Sequence, residues 1–258
     1  MGSLRICTWN IQLGLSLKQV LETIATQPAF SNLDVFALQE ASQHAGQDDS
    51  EAVARQLGQN YGWTQVTGQQ FRGQPQANGL IWNNERLRGT LSDSIRLPFL
   101  QDPGGLPLAE RWLLNRLQPQ RRGGVMVEGL LAGRDPIRVY SVHADVVGFA
   151  HRLRQLAAVL SDNAARPDAF MALIAADLNT FGVGSRPSWR ALHLAASAAG
   201  FRDLTSQVAW THEVPRLRLR QKLDFVFAKT AVDVSYRPWT LPSRASDHLP
   251  VFVDINWK

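Results

Sequence analysis

The sequence predicts an α/β fold built on mixed β-sheet, and three observations carry that reading. Short apolar runs rich in Val, Ile, Leu and Phe recur from one end of the chain to the other. Stretches with helical spacing of apolar residues lie between several of them. A turn sequence, Gly133-Arg134-Asp135, joins two adjacent runs, so some strand pairs are antiparallel and the sheet or sheets are mixed. The 258 residues, 45% of them hydrophobic, are enough to bury a full core. No Gly/Ser linker, repeat or low-complexity tract divides the chain, and residues 1–258 are expected to form a single domain.

Taken in order, the strand candidates are Leu4–Ile11, Asp34–Gln39, Gly79–Trp82, Val125–Leu131, Ile137–His143, Phe170–Ala176, Leu223–Ala228 and Val251–Ile255. The first helix candidate is Ser16–Thr26, where Leu17, Val20, Leu21 and Ile24 share a face. Ser50–Gln59 is a shorter one. Phe149–Ala165 has the strongest pattern, with Leu153, Leu156, Ala157 and Leu160 inward and Arg152 and Arg154 outward. Pro187–Ala199 is the fourth. Gly129–Pro136 reads as a hairpin connection. Pro98–Gln120 opens with Pro and Gly-Gly, then sets Trp112, Leu113 and Leu117 on one helical face; it reads as a surface excursion packed back on the core.

Composition narrows the function classes. The single cysteine, Cys7, rules out an intrachain disulfide and a Cys-rich zinc site. It lies in the apolar run Leu4–Trp9 and reads as a buried core residue in a protein of the reducing cytoplasm. No apolar run approaches a membrane span, and the first strand leaves no room for a signal peptide. A cytoplasmic monomer without a transmembrane segment is expected. The formal charge of +5 and pI near 9.9 favour acidic partners: nucleic acid, phosphorylated metabolites or anionic lipid heads.

The chemistry-bearing residues sit where apolar strands stop. Asn10 ends the first run, Glu40 the second, His143 the run Val139–Val142, and Asp177 with Asn179 the run Ala172–Ala176. Asp224 opens Phe225-Val226-Phe227, and Asp247-His248 precede the run Val251–Ile255. Such ends on one edge of stacked sheets would bring carboxylates, amides and imidazoles together. Glu, Asp and an amide oxygen suit hydrated Mg²⁺ or Mn²⁺, whereas zinc calls for more His or Cys. His248 and His143 could hold a phosphoryl oxygen or move protons. Asn179 could donate to the anionic oxygens of a pentacoordinate phosphorus, and Asp177 could orient or deprotonate an attacking water. That combination is metal-assisted phosphoester hydrolysis.

The same residues fall in motifs. Thr8-Trp9-Asn10-Ile11, Leu38-Gln39-Glu40, Ser141-Val142-His143, Ala176-Asp177-Leu178-Asn179, Leu223-Asp224-Phe225-Val226-Phe227 and Ser246-Asp247-His248-Leu249-Pro250-Val251 occur in that order. In this the chain resembles the endonuclease/exonuclease/phosphatase superfamily. The resemblance implies a four-layer α/β sandwich, two stacked mixed sheets flanked by helices. It also implies Glu40 as the principal ligand of Mg²⁺ or Mn²⁺, helped by Asn10 and Asp247. Asp177 would position the nucleophilic water, Asn179 bind phosphate, and His248 act in proton transfer with Asp224 fixing its ring. His143 is similar to the family's phosphate-binding or leaving-group residue, and a histidine there is like the deoxyribonuclease I and sphingomyelinase branches. Asp145, two residues on, reads as a solvent-facing carboxylate.

For the substrate, Arg216, Arg218, Arg220 and Lys222 alternate with leucines at strand spacing, which places four cations on one face. Arg121 and Arg122 add candidate phosphate contacts. Trp63, Trp112, Trp189, Trp210 and Trp239 could stack on bases, although most are expected in the core. The leading expectation is a nuclease or phosphodiesterase acting on DNA or RNA. The alternatives are a phosphatase or sphingomyelinase-like enzyme acting on an inositol phosphate, sugar phosphate or lipid head group, and a catalytically silent binding module of the same fold.

Overall fold

The computed structural model describes residues 2–71, 73–100, 121–181, 185–214 and 219–258. The elements run β1 (Gly2–Asn10), α1 (Leu17–Thr26), β2 (Val35–Ala41), β3 (Gln43–His44), β4 (Gln47–Asp48), α2 (Asp49–Leu57), β5 (Tyr61–Phe71), β6 (Gln74–Asn83) and β7 (Leu87–Arg96). They continue with β8 (Gly123–Leu131), β9 (Asp135–His143), α3 (Phe149–Ala165), β10 (Met171–Asp177), α4 (Ser185–Ala198) and β11 (Arg202–Asp203). The remainder are β12 (His212–Val214), β13 (Leu219–Gln221), β14 (Asp224–Thr230), β15 (Val234–Thr240) and β16 (Val251–Trp257). The expected segment 98–120 lies, beyond Leu100, outside the described residues.

Two six-stranded mixed sheets form, ordered β15-β16-β1-β2-β6-β5 and β11-β14-β10-β9-β8-β7. Their direction patterns are the same. In each, one central pair is parallel, β1 with β2 and β9 with β10, and every other neighbour is antiparallel. The expected hairpin is the β8–β9 connection, where Ala132 and Gly133 take positive φ of 51° and 77°.

Period-two alternation divides each strand between two cores. Leu4, Ile6, Val35, Ala37 and Val253 of the first sheet meet Val125, Val139, Leu173, Ala175 and Val226 of the second. The opposite faces turn outward. Cys7, Trp9, Phe36, Leu38 and Phe252 pack with Val20 and Ile24 of α1 and Val53 of α2. Tyr140, Val142, Ile174, Phe225 and Phe227 pack with Leu156 and Val159 of α3 and Leu192 of α4. The layers are therefore helix, sheet, sheet, helix, the expected sandwich. Burial pushes the Cys7 thiol pKa up, which keeps it an inert core group.

Three long strands, β5, β7 and β15, were not expected from the sequence, nor were the short β3, β4, β11 and β12. The three long ones are all sheet edges. Their outer ladder faces solvent, so they carry polar residues such as Gln65, Gln69, Ser92 and Asp93. Pro238 in β15 is tolerated because that strand pairs on one side alone.

The phase of α3 also differs from expectation. His151, Arg152, Gln155 and Asn163 are buried beside Leu156 and Leu160, whereas Ala157 is exposed and Leu153 half-buried. The neighbouring sheet presents polar groups there, which draw the helix round. Gln155 accepts from the Asp145 backbone N–H at 2.8 Å, and the Asn163 side chain accepts from Arg138 at 2.9 Å.

Candidate active site

The site arises where the inter-sheet face of each central strand runs out of apolar residues. On β1 that face reads Leu4, Ile6, Thr8, Asn10; on β9 Ile137, Val139, Ser141, His143; on β10 Met171, Leu173, Ala175, Asp177. On β14, which runs the other way, Asp224 precedes Val226 and Ala228. The ladders place His143, Asp177 and Asp224 side by side in register. Just below them a buried polar chain crosses between the sheets. Thr8 donates to Gln39 Oε1 at 3.1 Å, Gln39 Nε2 to Ser141 Oγ at 3.1 Å, and Ser141 Oγ to the Leu38 carbonyl at 2.9 Å.

Glu40 reaches the site by breaking the alternation. Simple pleating would aim it with Leu38 at the helices. Instead β2 bulges against β6 between Leu38 and Ala41, and Glu40 takes a left-handed φ of 49°. Asn179 also has positive φ, 47°, and its backbone N–H caps Asp177 Oδ1 at 2.9 Å. Such conformations are costly for residues with a Cβ and cluster where a side chain must be aimed.

Asp177 is the hub. Its Oδ2 accepts from Asn10 Nδ2 at 2.8 Å and lies 3.5 Å from His143 Nε2 and 3.9 Å from His248 Nε2. His143 Nε2 is also 3.7 Å from Glu40 Oε1. The His248 Nδ1–Asp224 Oδ2 distance is 2.8 Å, which leaves Nε2 facing the site. The main-chain carbonyl of His248 takes the Trp9 indole N–H at 2.9 Å. Asp247 accepts from Gln12 Nε2 at 3.1 Å and stands 3.7 Å from His212 Nε2. All eight expected residues are thus gathered in one cluster.

Arg122 does not reach outward as a phosphate contact. It is buried behind His143 and its Nη1 lies 2.9 Å from His143 Nδ1. A guanidinium can only donate, so Nδ1 accepts, and Nε2 is left facing Asn179 and the Glu40 and Asp177 carboxylates. Asn179 Nδ2 lies 2.8 Å from that Nε2 and donates to the Ala144 carbonyl at 2.8 Å. Asp145 is not solvent-facing either: it is buried 3.6 Å from His151 Nε2.

Burial and mutual charge set the protonation states. Burial raises the Glu40 pKa, with Asp247 adding to the rise and Arg122 and His248 opposing it. Asp177 is pushed up to about 6 by burial and by Asp224. Burial and the Arg122 charge hold His143 well below its usual range, so its ring stays neutral. Burial alone would lower His248, but Asp224, Asp177 and Asp247 outweigh it and raise the pKa to about 10. Asp247 ends lowered because the neighbouring His212 and His248 imidazoles outweigh its burial.

A divalent cation fits this donor set. Glu40 and Asp247 offer carboxylate oxygens, and Asn10 Oδ1, which accepts from the Gln12 backbone N–H at 2.9 Å, keeps a second lone pair. Among the described residues two groups bring ligand atoms within 4.8 Å of one another: Asp177, Asp224 and His248, and His212, Asp247 and His248.

Sequence reasoning missed His212 and the true place of Arg122, because both act through partners distant in the chain. In the expected arginine row, Arg216 and Arg218 lie outside the described residues. Arg220 lies over the Trp210 ring at 4.4 Å, but Lys222 turns away to Asp203 at 3.4 Å. Of the tryptophans, Trp112 is outside the described residues, Trp239 stacks on Phe252, and Trp63 and Trp189 are exposed rather than core.

Residues 7–248 match the profile of the Endonuclease/Exonuclease/phosphatase family, and the chain belongs to that family. No curated protein matches it in sequence. Solved structures share its fold. D. rerio TDP2, complexed with single strand DNA product, has 16% identity and a TM-score of 0.70 over 100% of both chains. The Bacteroides thetaiotaomicron mannosyl-6-phosphatase has 15% identity and a TM-score of 0.68, covering 98% of this chain and 100% of that one. The human Nocturnin catalytic domain with bound sulfate anion has 18% identity and a TM-score of 0.68, over 99% and 95%. At these identities the likeness is one of fold. Family membership and the two His/Asp clusters together define metal-dependent phosphoesterase chemistry at the level of the superfamily. No helix among the described residues is long and apolar enough to cross a membrane.

Proposed function

We propose that residues 1–258 form one catalytic domain of a Mg²⁺- or Mn²⁺-dependent phosphodiesterase that hydrolyses DNA or RNA, working as a cytoplasmic monomer. The observation that carries the chemistry is Asp177: one carboxylate within 4 Å of Asn10, His143 and His248, itself raised in pKa and so suited to take a proton. Glu40, Asp247 and Asn10 would hold the cation, which when bound would supply Lewis-acid character and charge neutralisation.

The remaining work falls to the chain's own side chains. Asp177 orients the attacking water and accepts its proton. His248, held by Asp224, presents Nε2–H to a non-bridging phosphate oxygen. His143, kept neutral by burial and by the Arg122 charge, turns Nε2 toward the phosphate or its leaving oxygen. Asn179 fixes the strand end that carries Asp177 and lies beside the phosphate position.

The net charge of +5 favours a polyanionic substrate, and Arg220, Trp210 and Arg244 line the cleft that opens beside Asp247. Plasmid and single-stranded DNA incubated with Mg²⁺ or Mn²⁺ test this. Cleavage lost on chelation and in Glu40→Ala is expected, with His248→Ala and Asp177→Ala each reducing turnover by roughly two to four orders of magnitude. Hydrolysis of a phosphomonoester or of sphingomyelin in place of DNA and RNA would transfer the assignment to those substrates. No turnover on any of them, with no metal binding, would make the chain a silent binding module.

A further inference from the structure

His212 is a buried imidazole, 7% exposed, that the hydrolytic scheme does not use. Its Nδ1 is buried with no hydrogen-bond partner, and its Nε2 stands 3.7 Å from Asp247 Oδ2, beyond hydrogen-bond length. The backbone puts this ring where it is. His212 and His248 form an antiparallel bridge, flanked by bonds from Glu213 N–H to the Asp247 carbonyl at 3.0 Å and from Leu249 N–H to the Thr211 carbonyl at 2.7 Å. Directly opposed residues project to the same side. The two rings accordingly lie 4.7 Å apart, with Phe181 edge-on to the far side of His212.

We propose that His212, Asp247 and His248 form a second cation site, selective for a nitrogen-seeking divalent ion such as Zn²⁺, and that filling it inhibits hydrolysis. The donor set differs in kind from Glu40, Asn10 and Asp247. Two imidazoles and one carboxylate are a zinc-type set, whereas all-oxygen ligands suit Mg²⁺. The spacing fits as well. Two ligands about 2.1 Å from a tetrahedral zinc are roughly 3.4 Å apart, close to the 3.7 Å between His212 and Asp247, and all three ligand atoms lie within 4.8 Å. A small side-chain adjustment closes the site.

Inhibition follows from which atom remains to be shared. Asp224 occupies His248 Nδ1, so the ion can bind only at Nε2, displacing to solvent the proton that this atom otherwise presents to the phosphate. Asp247 is shared with the activating cation. This arm rests on the proposed hydrolytic function; the binding arm does not.

The test uses the intact, metal-stripped protein. Zn²⁺ binding is measured by competition with a chromogenic chelator in wild type, Glu40→Gln and His212→Phe, the last keeping a ring against Phe181 and His248. Wild type and Glu40→Gln should bind Zn²⁺ alike, and His212→Phe should bind at least ~10-fold more weakly. Ring ¹⁵N resonances of His212 and His248 should both shift on Zn²⁺ addition. In the Mg²⁺-driven DNA assay His212→Phe should keep its basal rate, with the inhibitory Zn²⁺ concentration raised by the same factor. Unchanged Zn²⁺ affinity in His212→Phe, or ring shifts confined to His248, would overturn the site. If the chain does not cleave nucleic acid, the chelator and ¹⁵N measurements still decide the binding claim. His212→Asn serves if the melting curve of His212→Phe shows misfolding.

Discussion

Asp224→Asn isolates the charge that sets His248. The imidazole pKa is raised from 6.5 to about 10 even though burial pulls it down. At about 1.4 kcal/mol per unit, the difference is roughly 5 kcal/mol, the net of the coupling between the protonated ring and its three carboxylate neighbours and the opposing cost of burial. The share of Asp224 is one charge-assisted hydrogen bond at 2.8 Å, typically worth about 1.5–3 kcal/mol. Asparagine keeps the shape and an accepting oxygen and loses the charge, so the His248 pKa should fall by roughly one to two units. The sign of the stability effect follows. A histidine raised in the folded state stabilises fully below its unfolded pKa of about 6.5, and this is lost as pH rises through about 10. Asp224→Asn should therefore cost about 1–2 kcal/mol at and below neutral pH and progressively less in alkali. NMR titration of the metal-free protein follows the His248 ring, and urea unfolding at several pH values follows stability. A His248 pKa unmoved by the substitution, or raised by it, would refute the assignment of Asp224 as its charge partner.

Three other perturbations test separate parts of the construction. Ser141→Ala removes the hydroxyl that joins the Gln39 amide to the Leu38 carbonyl and leaves the Gln39 amide without that partner in the sheet interface; urea unfolding should show a loss of about 1–3 kcal/mol. Arg122→Met strips the buried cation that faces Glu40, Asp145 and Asp177, so thermal melting without divalent ions should show a loss of about 3–5 kcal/mol, partly recovered when Mg²⁺ is added. Gly14→Ala adds a Cβ 2.2 Å from Asp49 Oδ2 and 2.7 Å from His44 Nε2 at a φ of +61°, and should destabilise by more than about 2 kcal/mol in the same melts.

The central strands were legible because both their faces are buried and each reads as a continuous apolar run. The edge strands β5, β7 and β15 were not, because one solvated flank dilutes the pattern to glutamine, serine and threonine. The same reasoning explains the site. Asn10, His143, Asp177 and Asp224 stand out as polar residues terminating an apolar face. Glu40 was legible by type and place, although the bulge that aims it has no obvious sequence signal. Arg122 reads in the sequence as a candidate phosphate contact and Asp145 as a solvent-facing carboxylate, and no motif marks His151. Nothing local marks a charge that is paired from below by another strand or from above by a helix. His212 sits in a short strand whose only significance is what lies across from it.

The position of β16 has a consequence for how the protein comes into being. It lies between β15 and β1, pairing Gly2 with Trp257, so β1 waits for the much later β16 to cover its flank. The Asp247-His248 dipeptide arrives with that same segment, and the Arg5–Asp254 contact spans 249 positions of sequence. Closing so long a loop is slow, and it leaves the flank of β1 open until β16 is made. A ribosome-bound chain lacking the segment has a partly built sheet and no complete hydrolytic centre. The complete first sheet and the assembled residue cluster at its edge are therefore reached in the same step.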